Sequence, residues 1–96
     1  MLHIINHFPI EAAELDHTAF GDTIVLTDNA VYAVKQNNEI HKLFKQALKR
    51  LNCFVLGSDM KARGLNTDEI VNGVSIIDEI DYEDIADESI AVRSWN

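Results

Sequence analysis

Gly21-Asp22-Thr23-Ile24-Val25-Leu26-Thr27-Asp28 is the stretch whose reading decides the fold. Its centre, Thr23 to Leu26, is rich in β-branched residues and apolar at successive positions. A strand with one wet face would alternate polar and apolar residues. A strand covered by helices on both faces, as in a parallel sheet, does not. Gly21 sits where a preceding helix should end, because glycine takes left-handed angles without strain. Asp28 stands where the next helix needs a cap.

Reading outward toward the start, Leu2 to Asn6 is a short buried strand with a loop through Pro9. Glu11 to Phe20 predicts a helix, with Ala12, Ala13, Leu15, Ala19 and Phe20 as a ragged apolar stripe. In the other direction, Asn29 to Lys35 predicts a short helix capped by Asp28 or Asn29 and broken by Gln36, Asn37 and Asn38. Glu39 to Leu51 is the clearest helix. Ile40, Leu43, Phe44, Ala47, Leu48 and Leu51 recur at the spacing of one buried face. Lys45, Lys49 and Arg50 gather at its C-terminal end, where they favour the helix dipole. Cys53 to Leu56 is a third strand. Asp59 to Arg63 is a short helix capped by Ser58 or Asp59 and stopped by Gly64. Val74 to Ile77 reads as a fourth strand, Tyr82 to Glu88 as a weak acidic helix, and Ile90 to Trp95 as a closing strand.

This alternation predicts an α/β fold, a three-layer sandwich with a mostly parallel sheet, in a single domain spanning residues 1–96. Right-handed crossovers place helices on both faces. In such sheets chemistry collects at the carboxyl ends of the strands. Those ends carry Asn6-His7, Thr27-Asp28, Gly57-Ser58-Asp59 and Asp78.

Composition narrows the function. The longest apolar run, Ala30 to Val34, is far short of the about 20 residues that cross a bilayer. No basic segment followed by an apolar one opens the sequence, so no signal peptide is expected. One cysteine permits no internal disulfide and fits a reducing cytoplasm. The net charge of −8 is unevenly placed. Residues 1–65 hold seven acids and seven Lys/Arg, whereas residues 66–96 hold nine acids against Arg93 alone. An acidic third of this kind repels phosphate backbones, so direct, strong nucleic-acid binding by this chain alone, to tRNA included, is not expected. The same surface could be a solvated face, or half of an electrostatic match with a basic partner.

Cys53 is the one thiol, and it opens an apolar strand at the end opposite the usual site. Burial there raises a thiol pKa and makes the residue a packing group rather than a nucleophile. His3, His7, His17 and His41 show no zinc-ligand spacing, so neither a metal nor a cofactor is expected. Gly57 to Gly64 matches neither phosphate-binding glycine pattern. Four residues remain as interface candidates. Asp59 and Arg63 are spaced for a helix-surface ion pair or for a contact at the rim of the sheet. Asp28 is a cap or a binding residue. Trp95 ties down the chain end or anchors a partner.

Several motifs, taken in order, resemble the TusB/DsrH family. They are the opening Met1-Leu2-His3, Gly21-Asp22 with its apolar strand and Asp28, Val31-Tyr32-Ala33, Ala62-Arg63-Gly64-Leu65, and Ser94-Trp95. The resemblance implies the DsrE/F/H-like sandwich and a subunit of a bacterial sulfur-relay complex. Its siblings would be a TusC/DsrF-like and a TusD/DsrE-like subunit, and the persulfide-bearing cysteine would sit on the latter. In the TusB branch such complexes relay sulfur toward the wobble uridine of certain tRNAs; in the DsrH branch they serve sulfur oxidation. Members typically carry glycine after the aspartate that follows the second strand. Here Asn29-Ala30 stand there, and asparagine tolerates the same angles.

Three readings therefore stand side by side. The chain is a non-catalytic sulfur-relay subunit, or a sulfurtransferase that uses Cys53, or a self-associating interaction or ligand-binding module on the same fold.

Overall fold

The computed structural model describes residues 1–35, 41–89 and 91–95. The breaking residues Gln36, Asn37 and Asn38, the helical positions Glu39 and Ile40, and Ile90 lie outside them, as do the side chains of Ala12, His41 and Leu43.

Five strands form one wholly parallel sheet: β1 (Leu2–Ile5), β2 (Thr23–Leu26), β3 (Asn52–Leu56), β4 (Val74–Ile77) and β5 (Val92–Trp95). Their order is β4-β3-β2-β1-β5. The β2 stretch is central, and Ile24, Val25 and Leu26 are all buried, as a strand covered on both faces requires. Four helices join the strands: α1 (Ala12–Asp16), α2 (His41–Ala47), α3 (Gly57–Ala62) and α4 (Glu79–Glu88).

The order fixes which face each helix covers. From β1 to β4 the chain steps one way along the sheet, so right-handed crossovers all fall on one face. There Leu15 of α1, Phe44 and Ala47 of α2 and Met60 of α3 pack on Ile5, Ile24, Leu26, Cys53 and Val55. From β4 the chain must return past the whole sheet to place β5 beside β1, and the same handedness sends α4 across the opposite face. That face holds a smaller cluster, Leu2, Val25 and Ile77, with Tyr82, Ile85 and Ala86 of α4 partly buried against it. No residue of α4 is fully buried, so this helix draws less than the about 1.5–3 kcal/mol per side chain of a fully enclosed one.

Several expected boundaries move, each for a physical reason. Helix α1 spans five residues instead of reaching Phe20, which is 86% exposed and takes no part in the apolar stripe. The Arg50 guanidinium donates to the carbonyls of Leu15 and Thr18 at 2.9 and 3.0 Å. It thereby satisfies the acceptors that further helix would have used. Gly21, at φ 84°, then reverses the chain, as its position suggested. Asn29 to Lys35 is a 3-10 helix over Asp28–Val34 with Thr27 at its start, and neither Asp28 nor Asn29 caps it. Helix α3 begins two residues early, at Gly57, so Ser58 and Asp59 lie inside its first turn rather than before it. A Cβ at residue 57 would meet Ile76 Cγ2 at 3.0 Å, which explains the glycine. Helix α4 begins at Glu79, three residues earlier than expected, because Asp78 Oδ1 accepts the Asp81 N–H at 2.8 Å and caps it.

Candidate functional site

At the carboxyl ends of β2 and β3 the chain closes a charged clasp. Asp28 leaves β2 with φ 49°, a left-handed angle that aspartate reaches at a cost. Its own N–H donates to Asp59 Oδ2 at 2.7 Å, so the orphan donor is satisfied from α3. A charge-assisted bond of this length is the strongest in the group. Arg63, one turn beyond Asp59, donates from Nε to Asn29 Oδ1 at 3.0 Å and from Nη1 to the Asp59 carbonyl at 3.2 Å. Its ion pairs are longer, 3.6 Å to Asp28 and 3.7 Å to Asp59. The Asp28 side chain is 61% exposed, so water screens that pair and it contributes little. Tyr82 of α4 lies close enough for its hydroxyl pKa to be pushed up, by burial first and by the Asp28 charge second.

Asp28, singled out apart from the Asp59 and Arg63 pair, thus joins them in one cluster. Asn29 completes it. The left-handed angle falls on Asp28, one place before the asparagine expected to take it. With two carboxylates and one guanidinium already engaged on three sides, the clasp offers an anion no free cradle. It fastens α3 to the β2 turn.

Trp95 lies elsewhere, at the end of β5 and separated from β2 by β1. Its indole N–H donates to His3 Nδ1 at 3.2 Å. Indole can only donate, so Nδ1 is bare and the His3 proton sits on Nε2. That Nε2 donates to Asp22 Oδ2 at 2.9 Å. Asp22 also accepts the Ala19 N–H at 2.9 Å and pairs with the Met1 amino group at 3.1 Å. These bonds, the Ala19 N–H first and His3 next, hold its carboxyl down to about 2. The Arg93 guanidinium lies 3.9 Å from the indole centroid, and His17 lies 5.8 Å away. Trp95 therefore ties the last strand to the first. The spacing of the four histidines gives no hint of this; the signal the sequence does carry is a histidine inside an apolar strand with an aspartate opening the neighbouring strand.

Cys53 is 4% exposed, among Ile24, Val55 and the packed helices. Burial alone pushes its thiol far above the ordinary range, so at neutral pH it carries a proton. Among the described residues no three His, Cys, Asp or Glu side chains gather to hold a metal ion. Nor is any helix among them long and apolar enough to cross a membrane.

An open cavity lies at the carboxyl edge. The loops after β3 and β4 leave toward opposite faces, one to α3 and one to α4, which opens a crevice between them. It measures about 690 Å³ and is bounded by Gly57, Ser58, Ile76, Ile77 and the first turn of α4.

The sequence profile of the family described as DsrH-like protein matches residues 11–93. The chain belongs to the DsrH-like family. The matched span runs from the residue before α1 into β5, and so takes in the clasp, the crevice and Cys53. No curated protein sequence matches this DsrH-like chain. Eight chains of solved structures do match it. One is a protein of unknown function from Methanobacterium thermoautotrophicum, with a TM-score of 0.76 and 13% identity, covering 98% of this chain and 96% of that one. At that identity the likeness concerns the fold alone. Membership of the DsrH-like family makes the chain a sulfur-relay subunit in general terms.

Proposed function

We propose that this chain is a non-catalytic subunit of a TusBCD-like complex that passes persulfide sulfur toward the wobble uridine of tRNA in the cytoplasm. The observation that carries the proposal is the enclosure of Cys53. A persulfide carrier needs a thiolate that donor and acceptor can both reach. The chain has one cysteine, and its sulfur is packed in the core with its pKa raised. In this reading the cysteine that carries sulfur belongs to a TusD/DsrE-like sibling, and this chain completes the assembly with that subunit and a TusC/DsrF-like one. Asp28, Asp59, Arg63 and Trp95 act in it as shaping residues for the sibling contacts, with the Asp28 side chain more open than those of Asp59 and Arg63.

Co-expression with the two siblings tests this. The expected result is a stable complex of all three chains in which Cys53→Ala transfers sulfur at nearly the wild-type rate. Loss of transfer from an assembled, folded Cys53→Ala complex would give the reaction to Cys53 instead. Retention of tRNA thiolation in the reconstituted system separates this branch from a role in sulfur oxidation.

A further inference from the structure

The crevice between β3 and β4 has an apolar floor and an acidic rim. Ile76 and Ile80 are 40% and 68% exposed there, although both are large hydrophobic residues. β4 is an edge strand, and among the described residues no strand pairs with its outer side. A second depression of about 750 Å³ lies along α3 and shares Gly57 and Ile76 with the first. The two meet at Gly57 and Ile76, and the crevice bounded by α4 is the one with the acidic rim.

Such a switch-point crevice usually takes an anion at a helix N-terminus. Here the chain's own carboxylates occupy that place. Asp78 caps α4, and Glu79 and Asp81 fill its first turn. A second copy set groove to groove would bring the same acids and be repelled. A long cationic side chain fits both parts, with its methylene stem on the isoleucines and its charge among the carboxylates.

We infer that this groove is the docking site for a basic segment of a partner polypeptide, which lays a lysine or arginine over Ile76 and Ile80 and places its charge against Asp78, Glu79 and Asp81. This goes beyond the subunit role proposed above and rests on it only in requiring a partner.

The test uses the full chain, labelled with nitrogen-15 for NMR, and two ten-residue probe peptides, one alternating lysine with isoleucine and one alternating glutamate with isoleucine. The lysine peptide should bind at concentrations up to about 1 mM, the weak end of specific affinity. Its amide shifts should be confined to residues 57–58 and 76–81. The pair Glu79→Gln and Asp81→Asn should weaken binding about fivefold or more, and Ile80→Asp likewise. The charge-matched control Asp87→Asn with Glu88→Gln, at the far end of α4, should change it less than about twofold. Circular dichroism confirms that each variant is folded. Equal binding of the glutamate peptide, shifts centred elsewhere, equal loss in the control pair, or no binding at about 1 mM would each overturn the inference. Sibling assembly, measured separately, decides the subunit role: a chain that binds the lysine peptide but no siblings keeps this inference and loses that one.

Discussion

Asp59 caps a turn in another part of the chain: its Oδ2 accepts the N–H of Asp28, 31 residues earlier, at 2.7 Å. The bond joins the first turn of α3 to the residue that leaves β2 at a left-handed angle. Asp59→Ala removes a charged acceptor from a fixed donor, which should cost about 1–2 kcal/mol. Asp59→Asn keeps an acceptor oxygen and should recover at least half of that. Urea unfolding of the three proteins measures both. A loss below about 0.3 kcal/mol in the alanine variant would leave the bond without a stabilising role.

Asp28 itself is strained, at φ 49°. Asp28→Gly removes that strain and sacrifices only a long, screened pair with Arg63. It should raise stability by about 0.5 kcal/mol, or the melting temperature by about 2–4 °C for a domain of this size. A fall in melting temperature would mean that the Asp28 carboxylate does more than the geometry indicates.

Cys53 should resist modification. In the native protein, reaction with an aromatic disulfide should be at least about a hundredfold slower than in guanidinium at neutral pH, and should still climb about tenfold per pH unit from pH 7 to 9, since only the thiolate reacts and its pKa lies above that range. The linkage to stability has a definite sign. The folded thiol pKa is raised, so the unfolded chain loses its proton first, and stability falls as pH rises beyond about 9. Cys53→Ala should remove that alkaline slope at a cost of about 1 kcal/mol. Rapid native labelling would contradict the burial.

Asp22 should give the opposite dependence. Its carboxyl is lowered from 3.8 to about 2, so acid protonates the unfolded chain first. Stability should be full above about pH 5, decline through the ordinary aspartate range, and lose this contribution below about pH 2. The loss is on the order of 2 kcal/mol. Asp22→Asn should flatten the decline, as measured by urea midpoints between pH 3 and 6.

Trp95 is the only tryptophan, and its indole bond to His3 makes its fluorescence a monitor of β5 docking. Trp95→Phe keeps the ring and loses the N–H, leaving His3 Nδ1 without a donor inside the protein. The expected cost is about 1–3 kcal/mol. A double variant with His3→Leu, which also removes the stranded acceptor, should be no worse than the sum of the two single changes and is expected to be better. Strict additivity would show that the two rings are not coupled.

The parts of the fold legible in the sequence were those written in short-range periodicity. The doubly apolar Thr23 to Leu26 announced a central parallel strand, and Phe44 and Ala47 announced the buried face of α2, although that helix ends at Ala47 and leaves Leu51 buried beyond it. What the sequence concealed depends on contacts between distant elements. Arg50, in the turn after α2, ends α1 from across the fold, and Asp59 accepts the Asp28 N–H at the turn Asp28 was placed to cap. Asp78 looked like a strand-end acid, because Asp78-Glu79 carries no apolar period that would mark the start of α4. Three of the four clasp residues could be named but not assembled, since nothing local in Asp28 reveals that Arg63 and Asp59 lie beside it. The burial of Cys53 was legible because its neighbours Phe54, Val55 and Leu56 leave it little else to be.

The strand order has a consequence for how the molecule comes together. β1 is flanked on one side by β5, and the His3–Trp95 bond spans 92 positions of sequence. Until those last residues arrive, one border of the N-terminal strand has no neighbour and the His3 ring no indole. The β1–β5 pairing therefore closes the longest loop in the sheet and bears the largest closure entropy of its four ladders.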